Sequence, residues 1–468
     1  MLQVSKRKFF SNYLCKLTLY SGFPFFACGS TAETTSLATQ FCNTKENIAI
    51  SMQKTWFVKS LPNSLLVGAD FTKQTPQNAL DTAAQGIQTS DAAKNFKNST
   101  GIFHWGTSVL SLVQKYQQNP LRASRILSYV HVGMHDAWVL ALTSSTKNSS
   151  GSDRLTICEY AAHRTASLLL GHFYPNESTA RFEAEFLYLT ASLNLSNQHQ
   201  GIATKLGEYV AAQLIDRSWQ DGAALVWNLK LRPKDFNGIW SPAFPLYAVN
   251  PTEGMAAQWQ PWVKPNANRY VPPKASLPGS IDYQRELQQV LDVNKKLTAT
   301  EMEAAKRWNL EAGSVTPAGV WFQLAKEEIR KSLTQCDKES RKLLALSVLT
   351  DLSVAMHDAF IACWAIKFRD WSERPITAIR RSLDPEFQSL LVTPGFPSYV
   401  SGHATVSAAA ALVLSHYFPN QQKNYQLLAQ EAANSRLWGG IHFDSDNKEG
   451  LLLGASVGAE ILSSKLSS

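Results

Sequence analysis

The sequence predicts an all-α protein built from two related helical bundles packed together, with the reactive site in the C-terminal bundle. Three observations carry this. Long stretches, such as 123–142 (ASRILSYVHVGMHDAWVLAL) and 158–175 (CEYAAHRTASLLLGHFYP), repeat apolar residues at intervals of three and four, the period of a helix that buries one face. Three blocks then recur in order. Met134-His135-Asp136-Ala137-Trp138 returns as Met356-His357-Asp358-Ala359-Phe360, the stretch 168–176 (LLLGHFYPN) returns as 412–420 (LVLSHYFPN), and Leu206-Gly207-x-x-Val210 returns as Leu453-Gly454-x-x-Val457. Their offsets of 222, 244 and 247 residues fit two copies of one helical unit with an insertion between the first and second blocks. In the second copy that interval holds a cluster of cations and histidines that the first copy lacks.

With 468 residues and 44% hydrophobic content, the chain can bury a large core. The net charge of +8 is mild for the length and the basic residues are scattered, which gives no support to a nucleic-acid partner and suits an anionic cofactor. Residues 1–32 read as an export leader or a disordered terminus. Ser5-Lys6-Arg7-Lys8-Phe9-Phe10 resembles a twin-arginine motif with lysine in the first arginine place, and Ala27-Cys28-Gly29 offers a cleavage or lipid-attachment point. Exported and cytoplasmic locations both stay open. No other stretch reaches eighteen apolar residues without a charge, so no transmembrane span is expected.

Residues 33–118, rich in Thr, Ser, Asn and Gln, read as an irregular N-terminal region with short helices at most. Residues 119–232 read as the first bundle, a non-catalytic repeat. Residues 233–298 read as a proline-rich connection, because nine of the chain's twenty prolines fall between Pro233 and Pro278 and forbid a regular helix there. It would serve as a lid, a substrate-facing wall or a plain linker. Residues 299–468 form the second bundle, opened by a capping-box pattern at Thr300 and Glu303 and centred on a helix from about Ser340 to Lys367. Six cysteines (Cys15, Cys28, Cys42, Cys158, Cys336, Cys363) lie far apart without a C-x-x-C pair, so neither a zinc site nor a disulfide framework is indicated. His135 and His357, with Asp136 and Asp358, recur in both copies and are assigned to structural hydrogen bonding.

The chemistry concentrates between Trp364 and Asp446. Lys367 and Arg374 stand seven apart, two turns along one face of a helix that Pro375 would stop or kink. In Ser401-Gly402-His403 the glycine admits a ligand close to the backbone. The apolar run behind it reads as a helix whose N-terminal amides would point at an anion. Arg436 adds a planar fork of donors, and His442 follows six residues later. Asp446, four beyond His442, can hold one ring nitrogen and leave the other as nucleophile or ligand. Taken singly, each of these features is usually a solvated helix face, a loop or a core histidine; five donors and two imidazoles have no structural need to converge.

The pattern Lys367-x6-Arg374-Pro375, Ser401-Gly402-His403, Ser435-Arg436-x5-His442 resembles the three-motif signature of the vanadium-dependent haloperoxidases, the type-2 phosphatidic acid phosphatases and the bacterial acid phosphatases. The wording around it is similar to the soluble bacterial haloperoxidase-like proteins. Trp364 and Phe396 match positions where the fungal chloroperoxidase type carries Trp and Phe near its halide site, and bromoperoxidases tend to carry histidine in the place of Phe396. The resemblance implies vanadate as cofactor, cradled by Lys367, Arg374, Ser401, Gly402 and Arg436 and bonded through His442. His403 would act as acid and base, and Lys367 would polarise the bound oxidant. It further implies that hydrogen peroxide oxidises chloride or bromide to a hypohalous acid equivalent, which halogenates a small organic acceptor.

Glu311, three after Trp308, matches an acidic position that pairs with an oxyanion-binding arginine. The alternative within the superfamily is an acid phosphatase in which His442 attacks phosphorus and His403 protonates the leaving group. A non-enzymatic oxyanion binder is a third reading. The acceptor and the oligomeric state, a homo-oligomer included, are left open.

Overall fold

The computed structural model describes residues 54–62, 101–144, 151–234, 237–332 and 338–464. The leader motif, Cys15, Cys28, Cys42 and Cys336 lie outside these residues. The described chain holds thirteen α-helices and no strand. In chain order they are α1 (Gly101–Lys115), α2 (Pro120–Ser144), α3 (Gly151–Phe173), α4 (Thr179–Thr190), α5 (Asn197–Gln220), α6 (Ile281–Lys295), α7 (Ala299–Arg307), α8 (Thr316–Ser332), α9 (Lys338–Asp370), α10 (Pro375–Ser382), α11 (Gly402–Tyr417), α12 (Gln422–Trp438) and α13 (Asp444–Ser464).

Helices α2, α3 and α5 pack on one another, as do α9, α11 and α13, and α2 meets α9 where the two bundles join. Among the described residues one helix, spanning Ser340–Asp370 within α9, is long and apolar enough to cross a membrane, and its apolar window is wholly buried inside the protein. Its hydroxyls are satisfied within the fold. Thr350 Oγ1 donates to Leu346 O at 2.7 Å and Ser353 Oγ to Leu349 O at 2.6 Å, while His131 of α2 faces the same Ser353 at 3.1 Å.

The repeated blocks do the same physical work in both bundles. Asp136 accepts backbone N–H bonds from Trp56, Phe57 and Val58 at 2.7–2.9 Å, and Asp358 accepts them from Trp262 and Val263 at 2.9 and 3.0 Å. Each aspartate thus holds an extended segment across its bundle and satisfies backbone amides that helix packing cannot reach. A Cβ added at Gly207 would lie 2.7 Å from Ala161 O, and one added at Gly454 would collide with Thr405 O. Both glycines let two helices cross at backbone contact, and Ala161 and Thr405 are themselves 244 residues apart, the offset of the second block.

Three expectations need correction. Residues 101–115 are a helix rather than irregular chain: Ile102, Phe103, Trp105, Val109, Leu110, Leu112 and Val113 are buried, so this stretch has a full apolar face. The proline-rich connection ends at Ser280, not residue 298, because Ser280 caps α6 by accepting from Tyr283 N. The capping box is formed by Thr298 and Glu301 rather than Thr300 and Glu303. Both pairs satisfy the T-x-x-E spacing, and the earlier one wins by adding two residues to the helix. Among its described residues the connection holds one short 3-10 turn, Ala256–Gln258, and is anchored by Trp240 and Trp259, which are buried.

Candidate oxyanion site in the second bundle

The site is assembled from four chain segments. Helix α9 ends at Asp370, where Trp371 adopts φ +52 and the chain turns extended, with Ser372 bridged to Ile239. Lys367 and Arg374 therefore do not share a helix face, as their spacing suggested. Pro375 opens α10 with Arg374 as its N-cap, since proline at the first helical position sacrifices no hydrogen bond. Ser401 caps α11 and receives the N–H of Ala404 at 3.4 Å. Arg436 sits near the end of α12, and Gly440, at φ +73, reverses the chain so that His442 returns just before α13.

Lys367, Arg374 and Arg436 are 0, 0 and 1% exposed, and none forms an ion pair among the described residues. Their partners are carbonyls, a hydroxyl and the His442 imidazole. Lys367 Nζ donates to Pro397 O at 2.8 Å and Ser398 O at 2.6 Å; Arg374 Nε donates to Phe396 O at 2.9 Å and Nη1 to Ile441 O at 2.7 Å. Arg436 donates to Ser435 Oγ at 2.9 Å and Ala305 O at 3.3 Å. Arg374 Nη2 is buried without a partner, as is Nε2 of His403, whose ring the backbone of Trp308 and Asn309 holds. Three buried cations with no ion pair among the described residues are costly unless an anion joins them.

His442 is the pivot. Its Nε2 lies 3.1 Å from Arg374 Nη1, and its Nδ1 lies 2.8 Å from Asp446 Oδ2. That carboxylate oxygen also accepts from Ser398 Oγ at 2.5 Å and Phe443 N at 3.2 Å. An Nδ1–H donated to Asp446 leaves the Nε2 lone pair facing the cations. Burial, reinforced by Arg374, Lys367, Arg436 and His403, holds the imidazole well below the usual histidine range, so it is neutral. Burial also pulls Lys367 down to about 7, with Arg374 adding to the effect, and pulls both arginines down, though a guanidinium stays protonated. It raises Asp446 to about 6, against the Ser398 bond and the Lys367 charge.

Trp364 donates Nε1 to Thr252 O of the connection at 3.2 Å and packs on Phe396, ring centroids 5.0 Å apart. The Phe396 ring lies 5.2 Å from Lys367 Nζ and 4.8 Å from the Arg374 guanidinium carbon, within cation–π reach. The connection thus touches the site, since Thr252 N also donates to Gly395 O at 2.9 Å. Glu311 does not form the expected ion pair. Leu310, at φ +47, turns the chain outward, and Glu311 is exposed, bonded to Asn309 and felt by Arg436 only through space. Gly402 is less constrained than its place suggested: an added Cβ would meet Trp364 at an ordinary 3.5 Å. Sequence reasoning missed Ser398 and the carbonyls of 396–398. Ser398 stands inside FPSYVSGHA, but nothing local separates it from a loop serine.

No group of three or more His, Cys, Asp or Glu side chains suited to a metal ion occurs among the described residues. The donor set, all N–H and O–H groups around one lone-pair nitrogen, suits an oxyanion, and vanadate fits it.

Residues 347–429 and 418–467 match the family model described as the VCPO second helical-bundle domain. The fold is similar to the crystal structure of the first bacterial vanadium-dependent iodoperoxidase, at 25% identity and TM-score 0.64, over 78% of this chain and 95% of that one. It is also similar to a bacterial vanadium-dependent chloroperoxidase at 15% identity. The apo form gives TM-score 0.56 over 73% of this chain and 92% of that one, and the holo form gives 0.55 over 74% and 93%. No curated protein sequence matches the chain.

Proposed function

We propose that this chain belongs to the vanadium haloperoxidases, binds vanadate and uses hydrogen peroxide to oxidise halide to a hypohalous acid equivalent. The observation that carries the reading is His442, with Nδ1 held by Asp446 and Nε2 3.1 Å from Arg374 Nη1, in a site with three buried cations that form no ion pair among the described residues. Bound vanadate supplies a Lewis-acidic centre that activates peroxide toward halide without changing oxidation state.

The chain's own residues do the rest. Lys367, Arg374 and Arg436 neutralise the oxyanion, and the Ser401 hydroxyl and Gly402 amide add donors at the start of α11. His442 offers Nε2 to the metal while Asp446 and Ser398 fix its ring. His403, with Nε2 free, takes the proton of incoming peroxide and returns it to the departing oxygen. Halide gives up an electron pair to one peroxide oxygen, the O–O bond breaks, and the other oxygen leaves as water, so each turnover consumes one proton.

Phe396, laid over Lys367 and Arg374 beside Trp364, keeps water from the halide and supports oxidation of chloride as well as bromide. The deciding experiment is halogenation of a phenolic dye by the purified chain with hydrogen peroxide and iodide, bromide or chloride in turn, with and without orthovanadate. Turnover that needs both halide and vanadate is expected. Hydrolysis of a chromogenic phosphate ester that vanadate merely inhibits, without halogenation, would assign the site to phosphate chemistry instead.

A further inference from the structure

A small cavity adjoins Asp446. The Oδ2 of this carboxylate is engaged by His442, Ser398 and the amide of Phe443, whereas no hydrogen bond reaches Oδ1 among the described residues. The cavity measures about 20 Å³, and Tyr283, Glu286, Ser372 and Ser445 share its wall with Asp446. That is room for a single water, which needs two to four polar partners.

The wall provides them. Glu286 stands on α6 and lines the cavity, and its Oε1 accepts from Ser445 N at 2.9 Å. Ser372 Oγ accepts the Tyr399 N–H at 2.7 Å and keeps its own proton to give. Tyr283 spends its hydroxyl on Glu373 and adds no donor. A water has two O–H groups, which match the two carboxylates, and a lone pair, which matches Ser372.

We propose that Glu286 is a positioning residue for the oxyanion site: with Ser372 it holds one water against Asp446 Oδ1, and this water fixes the carboxylate so that Oδ2 meets His442 Nδ1. The inference rests on the reading of His442 and Asp446 as the core of the site. It extends the support of the histidine to a helix that the sequence places in the connection, outside the three motifs.

Two variants test it on the full chain, Glu286→Ala, which removes an acceptor, and Ala275→Val, which fills the cavity from another wall and leaves Glu286 intact. Glu286→Gln keeps an acceptor and serves as rescue. Orthovanadate affinity, read by titration calorimetry, should fall about tenfold in Glu286→Ala and in Ala275→Val and stay within about twofold in Glu286→Gln, the scale of lost support behind a ligating histidine. The Nδ1–H resonance of His442 in nitrogen-15-labelled, anion-free protein should be sharp and downfield in the parent and in Glu286→Gln, and lost to exchange in the other two. Unchanged affinity and resonance in Ala275→Val overturn the proposal even if Glu286→Ala fails to fold. If the parent binds no vanadate while the resonances behave as stated, the oxyanion reading fails and the positioning role stands.

Discussion

His442 Nδ1 lies 2.8 Å from Asp446 Oδ2, one helical turn along the chain at the start of α13, and that same oxygen receives the Ser398 hydroxyl at 2.5 Å. The pair decides which ring nitrogen carries the proton, and therefore whether the site can bond a metal oxyanion at all. Replacing Asp446 by Asn removes the charge and lets the amide offer N–H in place of an acceptor. Asp446→Asn should weaken vanadate binding by roughly 10–100-fold, the range for lost support behind a ligating histidine. Titration calorimetry on protein of unchanged helical circular dichroism checks this.

His403 is separable from binding. Its Nε2 is buried without a partner, and its ring is not among the hydrogen bonds that hold Lys367, Arg374 or His442. His403→Ala should lower kcat by about 10²–10⁴-fold, as expected for a lost acid–base group, while vanadate affinity changes far less. Equal losses in both quantities would make it a binding residue instead.

Binding should depend on pH with a definite sign. Burial holds Lys367 near 7 in the anion-free protein, and an anion beside it must raise that value. Anion affinity is therefore full below pH 7 and falls as pH rises through 7, with proton uptake on binding above it. Sulfate suits the test, since its charge is constant from pH 6 to 9; calorimetry in two buffers of different ionisation enthalpy should show the uptake.

The same shift bears on stability. Lys367 has a folded value below its unfolded one of 10.5, so it costs stability wherever the unfolded chain holds the proton and the folded chain resists it. Anion-free protein should lose denaturation midpoint as pH falls from about 10 to 7. Saturating sulfate or vanadate should restore it at pH 7.

Gly454 and Gly207 give a paired test of the helix crossings. Both substitutions to Ala force helices apart, at a cost of about 1–3 kcal/mol for overpacking. The Gly454 contact, with Thr405 O, is the tighter one, and Thr405 lies on α11, whose start carries Ser401 and His403. Gly454→Ala should lower the urea midpoint more than Gly207→Ala and should also weaken vanadate binding. Gly207→Ala, in the other bundle, should leave binding intact.

The sequence by itself determined the helical class, the doubled blocks and the candidate residues of the site, because these depend on local period, repetition and side-chain chemistry. Lys367, Arg374, Ser401, Arg436 and His442 could be named from three short motifs, since few other combinations of donors answer one oxyanion. Tertiary structure alone decided how they meet. That Lys367 and Arg374 stand on different elements follows from the left-handed turn at Trp371 and the bridge from Ser372 to Ile239, a contact across the connection that no local pattern encodes. Ser398 and Glu286 gain their places behind Asp446 only when α6, the 396–401 loop and α13 are packed together, and Glu311 loses its expected ion pair to a single backbone turn at Leu310. Hydrogen bonds between residues 48 or 159 apart are written in the packing of helices, whereas the chemical types that can use them are written in the chain.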